Sequence, residues 1–201
     1  MKVVGFSGFS GSGKTTLVEQ VIARLRLAGQ RVSVVKHAHH HFDIDHPGKD
    51  SHRHREAGAF EVVIASDRRL AKIREFEMRG NPTVHQLLAE LYEVDWVLVE
   101  GFKQADVPKI EIWRAETAKP VQYPHDPFIV AVATDSPQQL PHPTGLPLLD
   151  LNDPDAVTEF LLADPARYDY RSPFDDAFAA GADADAGRGA RPAAERDPSA
   201  G

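Results

Sequence analysis

Apolar residues fall into short continuous runs along the chain, separated by turns and by segments with helical spacing. Runs typical of buried strands cover residues 2–7, 31–36, 95–101, 108–113 and 127–133, with a last short one at 145–149. Helical spacing follows the first run, where Leu17, Val18, Val21, Ile22 and Leu25 precede a C-terminal cap at Gly29. Further helices are predicted to begin at Asn81-Pro82 and Asp153-Pro154, because proline is favoured at the first helical position. This alternation predicts an α/β domain whose mostly parallel, twisted sheet lies between helices.

The region between residues 49 and 76 departs from this alternation. A short helix is predicted over 49–58, and two weaker strands follow at 60–65 and 70–76 around a turn at 66–69. We interpret residues 60–76 as an added β-hairpin. The alternative is that both strands belong to the central sheet.

The character of the sequence changes near residue 163. Residues 1–163 contain the periodic segments and are predicted to form one domain. Residues 164–201 are rich in Ala, Asp, Gly, Pro and Arg and contain few large apolar side chains. Because such a segment cannot bury enough apolar surface to offset its ordering entropy, we predict a low-complexity, disordered C-terminal tail.

The composition excludes several classes of protein. The formal net charge of −7 argues against a general nucleic-acid binder. The sequence has no cysteine, which excludes disulfides, thiolate metal sites and thiol catalysis. No apolar run approaches the length of a membrane-spanning helix, and the first strand begins almost at the N-terminus. We therefore expect a cytoplasmic protein that binds neither membranes nor nucleic acid.

The most specific motif lies between the first strand and the first helix. Gly8-Phe9-Ser10-Gly11-Ser12-Gly13-Lys14-Thr15 fits G-x-x-x-x-G-K-[ST], and this motif predicts a P-loop NTPase domain with three layers. Backbone N–H groups of such a loop and the helix N-terminus bind phosphate oxygens. Lys14 is expected to reach the β- and γ-phosphates as a catalytic group, and Thr15 to hold Mg²⁺. The predicted nucleotide-binding residues are Gly8, Ser10, Gly11, Ser12, Gly13, Lys14, Thr15 and Thr16.

A second acidic motif is predicted at the end of the strand over 95–101. Ligands of open α/β sheets bind beyond the carboxyl ends of the strands, so Glu100 lies on the nucleotide side and Asp95 at the far end. Glu100 is therefore our candidate for contacting Mg²⁺ or orienting the attacking water. The alternative is a strand-end glutamate that faces solvent.

Residues 36–55 contain seven of the ten histidines, and three interpretations compete for this segment. The histidines could ligate a transition metal, since imidazole suits Zn²⁺ or Ni²⁺. They could instead be hydrated loop residues without a ligand. The interpretation we favour is a cationic rim for a phosphorylated substrate, formed by Lys36, His37, Lys49, Arg53 and Arg55. A switch-like loop after the second strand could also bring Asp43 or Asp45 towards Mg²⁺.

Several separate motifs across residues 2–162 resemble the MobB family, the molybdopterin-guanine dinucleotide biosynthesis adapter proteins. They are the phosphate loop, Lys36-His37, Phe42-Asp43-Ile44-Asp45, Pro47-Gly48-Lys49-Asp50-Ser51, Arg55-Glu56-Ala57-Gly58-Ala59 and Leu98-Val99-Glu100-Gly101-Phe102-Lys103. The resemblance implies a Mg²⁺-dependent GTP-binding protein with weak hydrolysis. It also implies a MobA-type guanylyltransferase as partner, a homodimer, and molybdopterin as a bound cofactor. The hairpin at 60–76 is a candidate for strand pairing between the two subunits. Because molybdopterin carries a phosphate, the resemblance strengthens the cationic-rim interpretation.

Guanine selectivity has a weaker basis in the sequence, because the usual Asn/Thr-Lys-x-Asp motif is absent. Asp135, which follows the strand at 127–133, is the nearest equivalent and could accept hydrogen bonds from guanine N1–H and its 2-amino group. An ordinary turn residue is the alternative.

No arginine finger or glutamine is identifiable, so hydrolysis is expected to be slow and the protein to act mainly as an adapter. Two other functional classes stay open: a nickel-insertion GTPase that uses the histidines as ligands, and a P-loop kinase of small molecules.

Overall fold

Eight strands and four helices make up the regular structure of the protein, as seen in a computed structural model that describes residues 1–38, 42–76 and 80–174. The strands are β1 (Lys2–Ser7), β2 (Val32–Lys36), β3 (Glu61–Ala65), β4 (Leu70–Arg74), β5 (Trp96–Glu100), β6 (Lys109–Trp113), β7 (Ile129–Thr134) and β8 (Leu148–Asp150). The helices are α1 (Lys14–Leu27), α2 (Asp50–Glu56), α3 (Val84–Leu88) and α4 (Pro154–Ala163). None of the described helices is long and apolar enough to cross a membrane.

Six strands form the central sheet in the order β2-β5-β1-β6-β7-β8, and every neighbouring pair is parallel. The phosphate-loop strand β1 therefore lies inside the sheet, between β5 and β6. The hairpin of β3 and β4 is a separate, antiparallel two-stranded sheet. The α/β fold and the added hairpin predicted from the sequence are both confirmed, and the alternative of two further central strands is wrong.

Alternate residues of the central strands pack into two apolar layers. On one face, Val4, Phe6 and Leu98 pack with α1 and α4. On the other face, Val3, Val97 and Val99 pack with Val84 and Leu88 of α3. Parallel strands covered on both faces are continuously apolar, which explains why the sequence shows runs rather than alternation. The three-layer arrangement follows from these two cores.

The start of α3 differs from the sequence prediction. The helix begins after Thr83, whose hydroxyl accepts a hydrogen bond from the Gln86 backbone N–H, and the Gln86 side chain accepts one from the Thr83 N–H. This capping box stabilises a helix start two residues beyond the predicted Asn81-Pro82. In α4, by contrast, Asp153 caps the helix and Pro154 occupies its first turn, as predicted.

The packed part of the chain continues past the predicted boundary at residue 163. A 3₁₀ turn, Pro165–Tyr168, brings the Tyr168 ring to 5.4 Å from that of Trp96, and Tyr168 is 1% exposed. Asp169 then pairs with Lys2 at the start of β1. The domain therefore extends at least to Asp169. Residues 175–201, most of the predicted tail, lie outside the described residues, so their predicted disorder stays a prediction.

Candidate functional site

Three glycines with positive φ shape the phosphate loop between β1 and α1. Gly8, Gly11 and Gly13 have φ angles of 142°, 82° and 93°, which L residues rarely adopt. Gly8 also approaches the neighbouring strand closely, because a Cβ there would lie 2.4 Å from the Ile112 carbonyl oxygen. Gly13 is the N-cap of α1, so the loop leads directly to the positive end of the helix. This backbone can direct several N–H groups at an anion.

The Lys14 side chain folds back across the loop. Its ammonium donates a hydrogen bond of 2.7 Å to the Phe9 carbonyl. Burial lowers the pKa of Lys14 below its usual value, Glu100 opposes the shift, and the nearby Lys103 and Lys36 add to it. Because an anion would offset both the burial and the repulsion, the site favours negatively charged ligands.

Thr15 and Glu100 meet at the carboxyl edge of the sheet. The Thr15 hydroxyl donates a 2.8 Å hydrogen bond to one oxygen of Glu100, and the Lys36 ammonium lies 3.5 Å from the other. Glu100 is 8% exposed and pairs in register with Lys36 on one side and Phe6 on the other. A hydroxyl and a carboxylate are hard oxygen ligands of the type Mg²⁺ prefers, so the pair fits the predicted metal position. The alternative of a solvent-facing Glu100 is wrong.

Two lysines that were not predicted as site residues lie near this edge. Lys103 places its ammonium 3.8 Å from the centroid of the Phe9 ring, above the phosphate loop. Lys109, 1% exposed, donates to the carbonyls of Lys103 and Ala105 at 3.0 and 2.6 Å and forms an ion pair with Asp126. The aliphatic stem of Lys109 lies against Gly5, where a Cβ would be 2.5 Å from its Cγ. Lys109 therefore fixes the loop that carries Lys103.

Arg114, also absent from the sequence prediction, lies beside the phosphate loop. Its guanidinium donates to the Ser12 carbonyl at 3.3 Å, to Asp135 at 2.6 Å and to the Asn152 side chain at 3.4 Å. Asp135, the predicted guanine ligand, thus has a cationic partner at the carboxyl end of β7. The position of Arg114 directly after a buried strand was the available signal, because it is the same kind of position that identified Glu100.

A cavity of about 210 Å³ lies at the ends of β7 and β8. Its lining residues are Thr134, Asp135, Pro137, Leu148, Leu149, Asp150 and Asn152. The lining combines apolar side chains with carboxylate and amide groups, a combination suited to a flat heterocycle with polar edges. A larger, open depression of about 620 Å³ lies around Arg31 and Asp95, at the opposite end of β5 from Glu100.

Asp43 and Asp45 bind an arginine in the structure. Arg55 contacts both carboxylates at 3.2 and 3.1 Å and a third, Glu75, at 2.7 Å. The Ser51 hydroxyl donates to Asp45 as well. This Arg55 cluster, defined as Asp43, Asp45, Ser51, Arg55 and Glu75, ties the loop after β2 to α2 and the end of β4. The contacts of Asp43 and Asp45 thus lie within the cluster, whereas Thr15 and Glu100 contact each other directly.

The remaining members of the predicted cationic rim are spread along the same segment. Lys49 is the exposed N-cap of α2, and the Arg53 side chain is 72% exposed with Asp50 at 3.7 Å. His37 lies nearer the phosphate loop, because it stacks edge-on with Phe102 and its backbone N–H donates to the Glu100 carbonyl. Residues 39–41, three of the histidines considered as metal ligands, are outside the described residues. Among the residues that the structure describes, no group of three His, Cys, Asp or Glu side chains is arranged to hold a metal ion.

Comparison with protein families adds a decisive observation. Residues 3–135 match the family described as "MobB: Molybdopterin guanine dinucleotide synthesis protein B", a span of more than half of the 201 residues. This chain belongs to the MobB family. The resemblance stated from the sequence motifs is therefore confirmed.

Individual MobB relatives are similar over most of their length. The chain is 41% identical over 162 residues to the "Molybdopterin-guanine dinucleotide biosynthesis adapter protein" of Haemophilus influenzae, covering 79% of this chain and 86% of the relative. It is 35% identical over 163 residues to the Escherichia coli protein of the same name, covering 80% and 91%. The crystal structure of a MobB homolog from Bacillus stearothermophilus superimposes with a TM-score of 0.61 at 29% identity, covering 82% of this chain and 97% of that structure. The Bacillus stearothermophilus homolog therefore has the fold described above.

Proposed function

We propose that this protein is a GTP-binding adapter of molybdenum cofactor biosynthesis. In this proposal it binds Mg-GTP at the phosphate loop, binds molybdopterin through the phosphate of that cofactor, and assists a MobA-type guanylyltransferase in forming molybdopterin guanine dinucleotide. Family membership supports the pathway, since similar proteins carry the name of an adapter in this biosynthesis. Intrinsic hydrolysis would be weak and the adapter role dominant.

One observation carries the nucleotide part of the proposal. The Lys14 ammonium and the Thr15–Glu100 pair converge on the loop that is shaped by the three positive-φ glycines. In a bound state, Lys14 would exchange the Phe9 carbonyl for phosphate oxygens, which are stronger acceptors. Thr15 and Glu100 would hold Mg²⁺. A Mg²⁺ ion bound by them would neutralise the negative charge that develops on the γ-phosphate.

The second ligand is proposed to bind on the side of the sheet where β2 ends. Lys36, half exposed beside Glu100, and Lys103 above Phe9 provide cations next to the phosphate loop. Lys49 and Arg53 of the following segment leave their charges open to solvent. A phosphorylated pterin can bind such a set of cations through its phosphate. Arg55 is a weaker candidate for this contact, because three carboxylates already engage it.

The hairpin supports the proposal of a homodimer. Val63, Ile64 and Leu70 of β3 and β4 are 56%, 43% and 61% exposed, although strand residues of this type usually pack against a neighbour. A second copy could pair with the hairpin and cover these side chains. Sedimentation of the Leu70→Glu variant tests the idea: we expect monomers where the unmodified protein sediments as a dimer, and an unchanged dimer would contradict it.

Substitution of Lys14 tests the nucleotide site. Lys14→Ala should lower Mg-GTP affinity by about 10- to 100-fold, because it removes a charge-assisted contact worth about 1.5–3 kcal/mol. Isothermal titration with GTP and ATP measures this, and thermal unfolding checks that the domain stays folded. Lys119→Ala, which removes an exposed lysine of the segment after β6, is the matched control and should bind as the unmodified protein does.

A reconstitution experiment tests the adapter role. Purified protein, a MobA-type guanylyltransferase, molybdopterin and Mg-GTP are combined, and formation of the guanine dinucleotide is measured with unmodified and Lys14→Ala protein. We expect stimulation by the unmodified protein only. Release of a phosphorylated small molecule in place of the guanine dinucleotide would identify a kinase. In the titration, unchanged GTP binding by Lys14→Ala would show that the nucleotide site is wrongly placed.

A further inference from the structure

Arg114 occupies the junction of three loops at the carboxyl edge of the sheet. It follows β6, and its guanidinium contacts the phosphate loop at Ser12, the end of β7 at Asp135, and the β8–α4 connection at Asn152. The Arg114 and Asp135 side chains are 28% and 24% exposed, so a ligand can reach the pair from solvent.

The guanidinium lies beside the last glycine of the phosphate loop. A Cβ at Gly13 would lie 3.4 Å from the Arg114 Nε and 3.5 Å from one of its terminal nitrogens. Glycine at position 13 is required by the φ of 93°, and the guanidinium lies at van der Waals distance from the place that a Cβ would occupy. A rigid cation is thereby held against the backbone that the triphosphate would contact.

The other end of the guanidinium reaches the wall of the 210 Å³ cavity. Asp135 and Asn152, which both accept from Arg114, are lining residues of that cavity. Pro137, Leu148 and Leu149 contribute apolar surface to the same lining. Arg114 thus has one contact in the phosphate loop and two in the cavity wall.

We propose that this cavity is the nucleobase subsite and that Arg114 is the positioning residue that couples it to the phosphate loop. The proposal rests on the proposed function, because it requires nucleotide to bind at that loop. Arg114 holds one oxygen of Asp135 and the Ser136 hydroxyl holds the other, which fixes the carboxylate in a single orientation. Each carboxylate oxygen retains a further acceptor position. Two adjacent donors on one edge of a purine, as in guanine, can therefore bind both oxygens, whereas adenine has no such pair.

The coupling has a chemical consequence for selectivity. If Arg114 is removed, Asp135 loses its fixed orientation, and the cavity loses its tie to the loop that binds the phosphates. The affinity for guanine nucleotides should fall more than the affinity for adenine nucleotides, because only guanine uses the oriented carboxylate. A purely structural role would instead lower stability and weaken all nucleotides equally.

Three variants of the full chain test the inference with GTP, ATP and xanthosine triphosphate in the presence of Mg²⁺. Arg114→Ala should reduce the ratio of GTP to ATP affinity by about tenfold or more, the scale of one lost charged hydrogen bond. Arg114→Lys keeps the charge without the planar fork and should restore the ratio only in part. Asp135→Asn should move the preference from guanosine to xanthosine triphosphate, since xanthine presents a C2 carbonyl that an amide N–H can bind.

The outcomes separate the inference from the function on which it rests. If the unmodified protein binds no nucleoside triphosphate, the proposed function fails. If it binds GTP and ATP equally, or if Arg114→Ala weakens both by the same factor, the function stands and the inference is overturned. Thermal unfolding is recorded for every variant. Where Arg114→Ala does not fold, Arg114→Lys and Asp135→Asn decide, and an unchanged base preference in both overturns the inference.

Discussion

Two regions of the molecule are stabilised in different ways. One is the phosphate-loop edge, defined as residues 8–15 and Glu100, and the other is the segment over residues 42–76. At the edge, Glu100 ends β5 and the phosphate loop follows β1, both central strands of the sheet, and Glu100 is only 8% exposed. In the segment, α2 has no buried residue, and the hairpin forms a sheet of its own. Ion pairs of the Arg55 cluster connect its parts. The edge is therefore organised before any ligand binds. The segment depends instead on ion pairs in which two of the three carboxylates, Asp43 and Glu75, are about half exposed, so a partner or ligand can rearrange them.

The largest effect is expected from Gly8→Ala at the phosphate-loop edge. A Cβ at this position would lie 2.4 Å from the Ile112 carbonyl oxygen, with φ at 142°. The backbone strain alone should lower the free energy of unfolding by about 1–3 kcal/mol, and Mg-GTP binding should be lost. Chemical denaturation and isothermal titration measure the two effects.

Gly48→Ala provides the matched control in the other region. Its φ of 82° imposes backbone strain, but nothing lies within 4 Å of the added Cβ. GTP affinity should stay unchanged in this variant. An equal loss of GTP affinity in both variants would mean that the two regions are not independent.

A smaller effect is expected from Glu111→Gln within the central sheet. The Glu111 carboxylate is 1% exposed and accepts hydrogen bonds from the backbone N–H groups of Gln122 and Tyr123 at 2.7 and 2.8 Å. The amide of Gln would face one of these donors with its own NH₂, leaving the donor unsatisfied. We expect a loss of about 1–3 kcal/mol in the free energy of unfolding, measured with urea. Glu116→Gln, an exposed acid, should change stability little, and a similar loss in both would refute the assignment.

Arg55→Ala should have a local effect confined to the segment. Three carboxylates lose their common partner, so amide hydrogen exchange should accelerate over residues 42–59 while protection of β1 and β5 stays constant. Arg53→Ala on the same helix removes only a 3.7 Å contact with Asp50 and should change exchange less. Faster exchange throughout the sheet would show that the Arg55 cluster also supports the phosphate-loop edge.

The smallest effect on stability is expected when the pH is lowered, and it concerns the Arg55 cluster. The hydrogen bond from Ser51, helped by Arg55, lowers the pKa of Asp45 below its ordinary value of 3.8, and the backbone N–H of Asp45 lowers the pKa of Asp43. Because the folded-state pKa lies below the unfolded value, this stabilisation is present above about pH 3.8 and is lost as the pH falls through the lowered pKa. Exchange protection over residues 42–59, measured relative to the intrinsic amide exchange rate at each pH, should therefore fall below pH 3.8, and Asp45→Asn should reduce that dependence. An identical acid response in the variant would contradict the role of Asp45.

Much of the phosphate-loop edge could be predicted from sequence because its signals are local. The glycine motif requires a particular backbone, and the strand-end rule placed Glu100 beside Thr15, where the structure has it. Arg114 was missed because its partners Ser12 and Asn152 belong to distant loops. Lys109 was missed because it bonds backbone carbonyls of the turn just before β6, which any residue type supplies. No periodic pattern encodes contacts of that kind.

The segment after β2 was harder to predict, because exposed charges can pair in many ways. Asp43, Asp45 and Arg55 were assigned to two different ligands, whereas the structure joins them to one another. Their roles towards Mg²⁺ and the pterin phosphate stay predictions. The packed part of the chain continues past the predicted boundary, since Tyr168 packs in the core beside Trp96 and Asp169 pairs with Lys2, contacts that composition does not show.

The packing of Lys109 against Gly5 also constrains how the sequence can change over time. A side chain at position 5 would collide with the lysine stem, and a shorter residue at position 109 would release the carbonyls of Lys103 and Ala105. Neither position can mutate alone without harming the loop above Phe9. The two are therefore expected to covary among homologues: chains that gain a methyl group at the first position should lose the long amine at the second and acquire another means of anchoring that loop.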